Sequence, residues 1–155
     1  MIIEVEVEVE VEAEPWLSAL PGCERIARDA AAAALLPETG SLIPGSVTIL
    51  LTDDVEVRQL NRDHRRKDQP TNVLSFPAHA TAVGHLGDIA LAYETCAREA
   101  LEQGKALADH TRHLVVHGVL HLLGLDHEAE ADAEAMEARE RAVLARLGVP
   151  DPYAA

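Results

Sequence analysis

Aromatic residues are scarce in this chain of 155: Trp16, Phe76, Tyr93 and Tyr153 make up 3% of it. So few ring faces leave base stacking a limited source of affinity for any nucleic acid. Basic residues are also scarce, 13 against 27 acidic ones, for a formal net charge of -14. A chain of that sign is soluble and repelled by phosphate backbones, whose binding relies on Lys and Arg releasing counterions. The two cysteines, Cys23 and Cys96, are too few and too far apart for a disulfide framework or a Cys-x-x-Cys metal site. They are expected as buried thiols in a reducing cytoplasm. The longest strongly apolar run, Leu114 to Leu125, contains two histidines and falls short of the ~20 residues a spanning helix needs, so no membrane role is expected. Met1-Ile2-Ile3-Glu4 lacks the basic start of a secretory signal, and the glutamates that follow at every second residue leave no room for its apolar segment. Export by that route is not expected, and a cytoplasmic location is. No Gly-X-Y period, heptad array or internal repeat is present.

What is present is a 48% hydrophobic composition, enough for a core. At this length one domain, residues 1–155, is expected, burying roughly 68 to 70% of its unfolded surface. Residues Ile3 to Glu12 alternate valine and glutamate, which puts the valines on one face of a strand and the carboxylates on the other. That charged face would also protect a sheet edge. An alanine-rich helix is predicted from about Pro21 to Leu36, closed by Pro37 and Gly40. Val47 to Leu51 reads as a buried strand. Thr52 or Asp53 then caps a short helix to about Asn61, and Arg62 to Pro70 reads as a loop. Val73–Phe76 and Leu86–Ala92 read as an antiparallel strand pair. Helices follow over Tyr93–Glu102 and Leu107–Leu123, the second stopped by Gly124. A last helix over Glu128–Leu147 carries Met136, Val143, Leu144 and Leu147 on one side. Elements that mix without regular alternation predict an α+β fold, a mixed sheet of about four strands with helices packed over it and a metal-binding helix in the C-terminal half.

The residues that carry chemistry lie in His117-Gly118-Val119-Leu120-His121-Leu122-Leu123-Gly124-Leu125-Asp126-His127. Histidines four apart on a helix stack on one face with Cβ atoms about 6 Å apart, a spacing that grips one ion. Eight histidines in this chain give roughly 0.4 such pairs by chance, so a pair alone is a weak motif. The conjunction is stronger: an apolar helix, a glycine where the chain must reverse, and His127 just beyond it. His117, His121 and His127 thus form three neutral ligands with a fourth position open, the pattern of a catalytic rather than a structural metal site, with imidazole nitrogens that suit zinc, nickel or copper. Core or capping histidines are the bland alternative. His113 lies about 12 Å along the axis from His121, too far to share an ion with it, so it supports the ligands or faces solvent. His64, His79 and His85 are expected in surface loops. Asp126 could accept a ligand ring N–H or cap the last helix. The spacing also matches that of metzincin zinc proteases, which place a glutamate base directly after the first histidine. Gly118 stands there in this chain, which disfavours peptide hydrolysis.

A second cluster runs from Arg58 to Asp68, where Arg58, Arg62, Arg65, Arg66 and Lys67 face two aspartates. By itself a charge run of this kind can be a solvated loop. Beside a metal site, guanidinium groups supply what phosphodiester cleavage needs, bidentate orientation of phosphate and stabilisation of growing charge.

Together these stretches resemble the YbeY family of bacterial ribosomal RNA maturation endoribonucleases. The resemblance rests on Leu60-Asn61 through Arg65 and Asp68, on Pro70-Thr71-Asn72-Val73-Leu74-Ser75-Phe76-Pro77, on Gly87-Asp88-Ile89, and on the His117 to His127 motif with its Gly118. In order they cover about the last two-thirds of the chain, from Val47 onward. The resemblance implies a cytoplasmic, zinc-dependent endoribonuclease that prefers single strands and acts in maturation of the small-subunit ribosomal RNA 3' end and in ribosome quality control. It makes His117, His121 and His127 the ligands of one zinc ion per chain and Arg65 the arginine of the active cleft. The implied partners are ribosomal RNA and the small ribosomal subunit or its assembly factors, with no DNA and no membrane. This chain has His64 where the family often has tyrosine and Asn72 where it often has aspartate. The implied chemistry is attack on a phosphodiester by metal-activated water, with Arg65 holding the phosphate; attack by the ribose 2'-OH is equally open. Rival readings are a metal-dependent peptide hydrolase, a non-enzymatic ribosome assembly factor with structural zinc, and an acidic interaction module.

Overall fold

The valine–glutamate alternation forms strand β1, Val5–Val11, of the computed structural model, which describes residues 5–35, 45–65, 71–78, 84–124 and 130–153. Strands β2 (Gly45–Thr52), β3 (Val73–Pro77) and β4 (His85–Ala92) complete one sheet in the order β1-β2-β4-β3. The β1–β2 and β2–β4 pairs are parallel and β3–β4 is antiparallel, so the sheet is mixed, with β1 and β3 at its edges. Val9 of β1 is buried and Val7 and Val11 pack against the core, while Glu6, Glu8, Glu10 and Glu12 are exposed on the other face. The predicted charged edge strand is what forms.

Six helices, α1 (Glu14–Ala19), α2 (Cys23–Ala34), α3 (Asp54–Arg65), α4 (Tyr93–Glu102), α5 (Leu107–Leu122) and α6 (Glu130–Arg146), are found among the described residues. None is long and apolar enough to cross a membrane. Helix α1 has no counterpart in the sequence pattern, because six residues are too few to show a period. It exists to seat Trp16, which is fully buried, donates its indole N–H to the Thr52 carbonyl at 2.9 Å, and meets Tyr93 edge-on.

The sheet has two unlike faces. On one, Val47, Ile49, Leu51, Ile89 and Leu91 join a large core with α2, α5 and α6, each fully buried side chain contributing roughly 1.5–3 kcal/mol. Alanines at 27, 30, 31 and 34 line the buried face of α2 and let it lie close to α5. On the other face, Ala90, Ala92 and Leu74 meet Val57 and Leu60 of α3 in a smaller cluster.

Asp53 caps α3 by accepting the Glu56 N–H at 2.8 Å, as its position predicts. The helix then runs through Arg65, correcting the loop expected from Arg62 onward: Asn61 is buried at 3% exposure, and tertiary contact carries the helix past the point where its polar sequence suggests an end. His64 is therefore helical. Its start is tied to that of α4. Asp54 accepts the backbone N–H and the hydroxyl of Thr95 at 3.0 and 2.9 Å, and the Asp54 N–H is accepted by Glu94 at 2.9 Å. His85, also expected in a loop, opens β4 and is held between Ser46 and Asp88 at 2.7 and 3.0 Å. His79, Arg66, Lys67, Asp68, Asp126 and His127 lie outside the described residues.

Candidate metal centre

Helix α5 positions the histidines. Thr111, Val115, Val116, Val119 and Leu120 are fully buried, so the helix is embedded almost all round and its rotation is fixed. Gly124 follows with φ 98° and donates its N–H to the His121 carbonyl at 3.0 Å, the left-handed stop predicted from sequence. His117 and His121 stand one turn apart, both partly accessible, and the His117 side chain is 27% exposed.

Gly118 points at the sheet. A Cβ there would lie 3.1 Å from two carbons of Ile89 and 3.2 Å from Ser75 Oγ, and Ser75 donates its hydroxyl to the Gly118 carbonyl at 3.3 Å. The carboxylate that zinc proteases carry at this place has no room here. One turn on, Leu122 reaches Gly87, where a Cβ would sit 2.7 Å from the leucine. Close approach to β4 at both points lowers α5 onto the sheet.

Behind the histidines lies Glu140 of α6, a fully buried carboxylate. Its Oε1 accepts from His117 Nδ1 at 2.7 Å, and its Oε2 from His113 Nε2 at 2.9 Å and from the Tyr153 hydroxyl at 2.5 Å. Burial pushes the Glu140 carboxyl up, but the three hydrogen bonds from His113, His117 and Tyr153 outweigh it and hold it at about 2. Burial and then the bond to Glu140 push the Tyr153 phenol well above its ordinary range. His113 is therefore neither a ligand nor a solvent-facing ring; it braces Glu140. The sequence contains a signal for this. Glu140 falls between Met136 and Val143–Leu144 on the apolar stripe of α6, and a carboxylate at a core position must have partners.

With Nδ1 facing the carboxylate, the other ring nitrogen of His117 faces away from Glu140, the orientation seen where a carboxylate backs a metal-bound histidine. Imidazole nitrogens suit a borderline cation such as zinc, so the residues present fit that group. Among the described residues no third histidine, cysteine or carboxylate completes a metal-holding set; His127 lies outside them.

Arg65 is the last residue of α3, on the opposite face of the sheet from α5. The two helices nevertheless run the same way. Helix α3 starts where Thr52 bonds Glu56 and passes Leu60 over Phe76 and Asp88, while α5 passes Gly118 over Ile89 and Leu122 over Gly87. Both thus run toward the end of the sheet where β4 begins, one on each face. Arg58 and Arg62 lie on the outer side of α3 with Val55 and Gln59 around a shallow surface depression.

The fold and site together define an α+β protein that presents a carboxylate-backed pair of imidazoles on a buried helix. The sequence profile of the family described as Endoribonuclease YbeY matches residues 20–148. Proteins named Endoribonuclease YbeY are similar to this chain: that of Paramagnetospirillum magneticum is 48% identical over 99% of this chain and 98% of its own length. That of Azorhizobium caulinodans is 52% identical over 88% and 89%. That of Rhodopseudomonas palustris strain CGA009 is 53% identical over 81% and 68%. The solution structure of TM1509 from Thermotoga maritima shares the fold at 23% identity and a TM-score of 0.50, with 98% of this chain and all of that one covered. The chain belongs to the Endoribonuclease YbeY family.

Proposed function

We propose that this chain is a zinc-dependent endoribonuclease that cleaves single-stranded RNA in the cytoplasm, acting on the 3' end of the small-subunit ribosomal RNA during ribosome maturation and quality control. His117, His121 and His127 hold one zinc ion, and Arg65 holds the scissile phosphate. Family membership supports the reaction class. The observation that carries the site is the pair His117 and His121 one turn apart on α5, with buried Glu140 bonded to His117 Nδ1.

His117, His121 and His127 would hold the zinc, which would supply Lewis-acid chemistry for a phosphoryl oxygen and a water. The chain's own residues do the rest. Glu140 accepts from His117 Nδ1 and so turns the other ring nitrogen away from itself. Arg65, with Arg58 and Arg62 on the same helix, orients phosphate and offsets charge that grows in the transition state. Four aromatics and a charge of -14 make affinity for free RNA weak and salt-dependent, which favours delivery by the small ribosomal subunit or an assembly factor. A peptide-hydrolysing reading has no support at Gly118, where the sheet fills the position of the base.

Metal content by mass spectrometry of the wild type and of His121→Ala, with RNA cleavage by the wild type and by Arg65→Ala, tests this reading. One zinc per chain is expected, lost in His121→Ala and kept in Arg65→Ala, with cleavage by the arginine variant down by about 10²–10³. Wild type and His121→Ala both metal-free after purification without chelator would overturn it.

A further inference from the structure

Glu140 is shared among three donors, and its two oxygens are divided unequally between them. Oε1 accepts from His117 Nδ1, whereas Oε2 accepts from both His113 Nε2 and the Tyr153 hydroxyl. A buried carboxylate in its ionised form accepts only, so each ring must carry its proton on the nitrogen that faces Glu140. The two histidines, one turn apart on the same helix, are thereby driven to opposite tautomers.

We infer that Glu140 is a positioning residue for the proposed metal centre: it fixes His117 as the Nδ1–H tautomer, so that Nε2 is unprotonated and turned away from Glu140, while it holds His113 as the Nε2–H tautomer and keeps that ring off the metal. This rests on the reading of His117 as a ligand. Tyr153 supplies the third bond and keeps Oε2 occupied. The tyrosine is itself held, because Arg141 lies over its ring at 5.4 Å and binds Asp151 at 3.1 Å, and Asp151 accepts the Tyr153 N–H at 2.8 Å. The residues after α6 thus close the back of the site.

The test uses the full chain. Long-range ¹H–¹⁵N correlation spectra of the metal-free wild type, taken at about pH 8.5, above the range in which a free imidazole titrates, report the tautomer of each ring directly. The expected result is Nδ1–H for His117 and Nε2–H for His113. The same tautomer on both rings, or Nε2–H on His117, would overturn the inference whatever the metal does. Competition for zinc against a chelator of known affinity then compares wild type, Glu140→Leu and Tyr153→Phe. Glu140→Leu is expected to weaken zinc binding 10–100-fold, the usual effect of losing such a partner, and Tyr153→Phe by a smaller factor. Zinc affinity unchanged in a folded Glu140→Leu would sink the positioning role even if its unfolding midpoint fell. If Glu140→Leu does not fold, the wild-type spectrum and Tyr153→Phe still decide. A wild type with the expected tautomers but no zinc would instead remove the metal reading and leave the tautomer assignment standing.

Discussion

Toward the sheet, α5 offers Gly118, with no side chain and barely the room for one, beside fully buried Val115 and Val119; toward α6 it offers His113 and His117, each bonded to a charged oxygen. The first flank is held by shape, and the second by a count of donors and acceptors. Shape sets where the helix axis lies, because close-packed side chains leave no slack. Hydrogen bonds set how the rings turn once the axis is placed. A site needs both, and a change on one flank should leave a different trace from a change on the other.

The largest effect is expected on the packed flank. Gly118→Glu must push its side chain into Ile89 and Ser75, combining overpacking of about 1–3 kcal/mol with a buried charge that has no partner. Chemical denaturation should show a protein that is largely unfolded or at least 4 kcal/mol less stable, and no peptidase activity should be gained. A folded Gly118→Glu of near wild-type stability would mean that α5 does not rest on the sheet as described. A milder contrast comes from His110, the buried histidine one turn before His113, which is bonded to Glu99 at 3.0 Å. Burial lowers its pKa from 6.5, against the opposing pull of Glu99, with His113 and Lys105 adding to the lowering. A histidine that is harder to protonate when folded supports the fold above about pH 6.5, and that support is lost as pH falls below it. Urea midpoints should therefore drop between pH 7.5 and pH 5, and His110→Gln should flatten the drop. An equal drop in both proteins would assign it to other groups. The smallest effect is expected from Ser75→Ala, which removes one long hydrogen bond to the Gly118 carbonyl and should cost below about 1 kcal/mol. In that background Gly118→Ala should be better tolerated than in the wild type, since Ser75 Oγ is one of the atoms the new methyl group meets. Equal cost in both backgrounds would leave Ile89 as the sole obstacle.

The parts of this molecule that repeat were legible in its sequence. Period-two alternation marked β1, a run of β-branched and leucine residues marked β2, an alanine-rich stretch marked α2, an apolar stripe marked α6, and Gly124 marked the end of α5. Parts settled by a single distant partner were not. Helix α1 depends on one indole reaching the Thr52 carbonyl, 36 residues away. The extension of α3 past Asn61 depends on burial of that asparagine, which its polar neighbours do not announce. At the site, the histidine spacing gave the pair on α5 because i and i+4 is local geometry. Glu140 was missed because its partners lie 23 and 27 residues back and because it stands among many acidic residues of α6 that face solvent. Its place on an apolar stripe was the one distinguishing mark.

The glutamates of β1 bear on how the protein behaves in a crowded solution. An edge strand leaves a row of backbone donors and acceptors open to any passing chain. Two copies that met along β1 would bring Glu6, Glu8, Glu10 and Glu12 of each alongside one another, a ladder of like charges that repels before the hydrogen bonds can close. Acid or concentrated salt weakens that repulsion, so the conditions that silence these carboxylates are the ones in which the chain is most prone to stack into ribbons of itself.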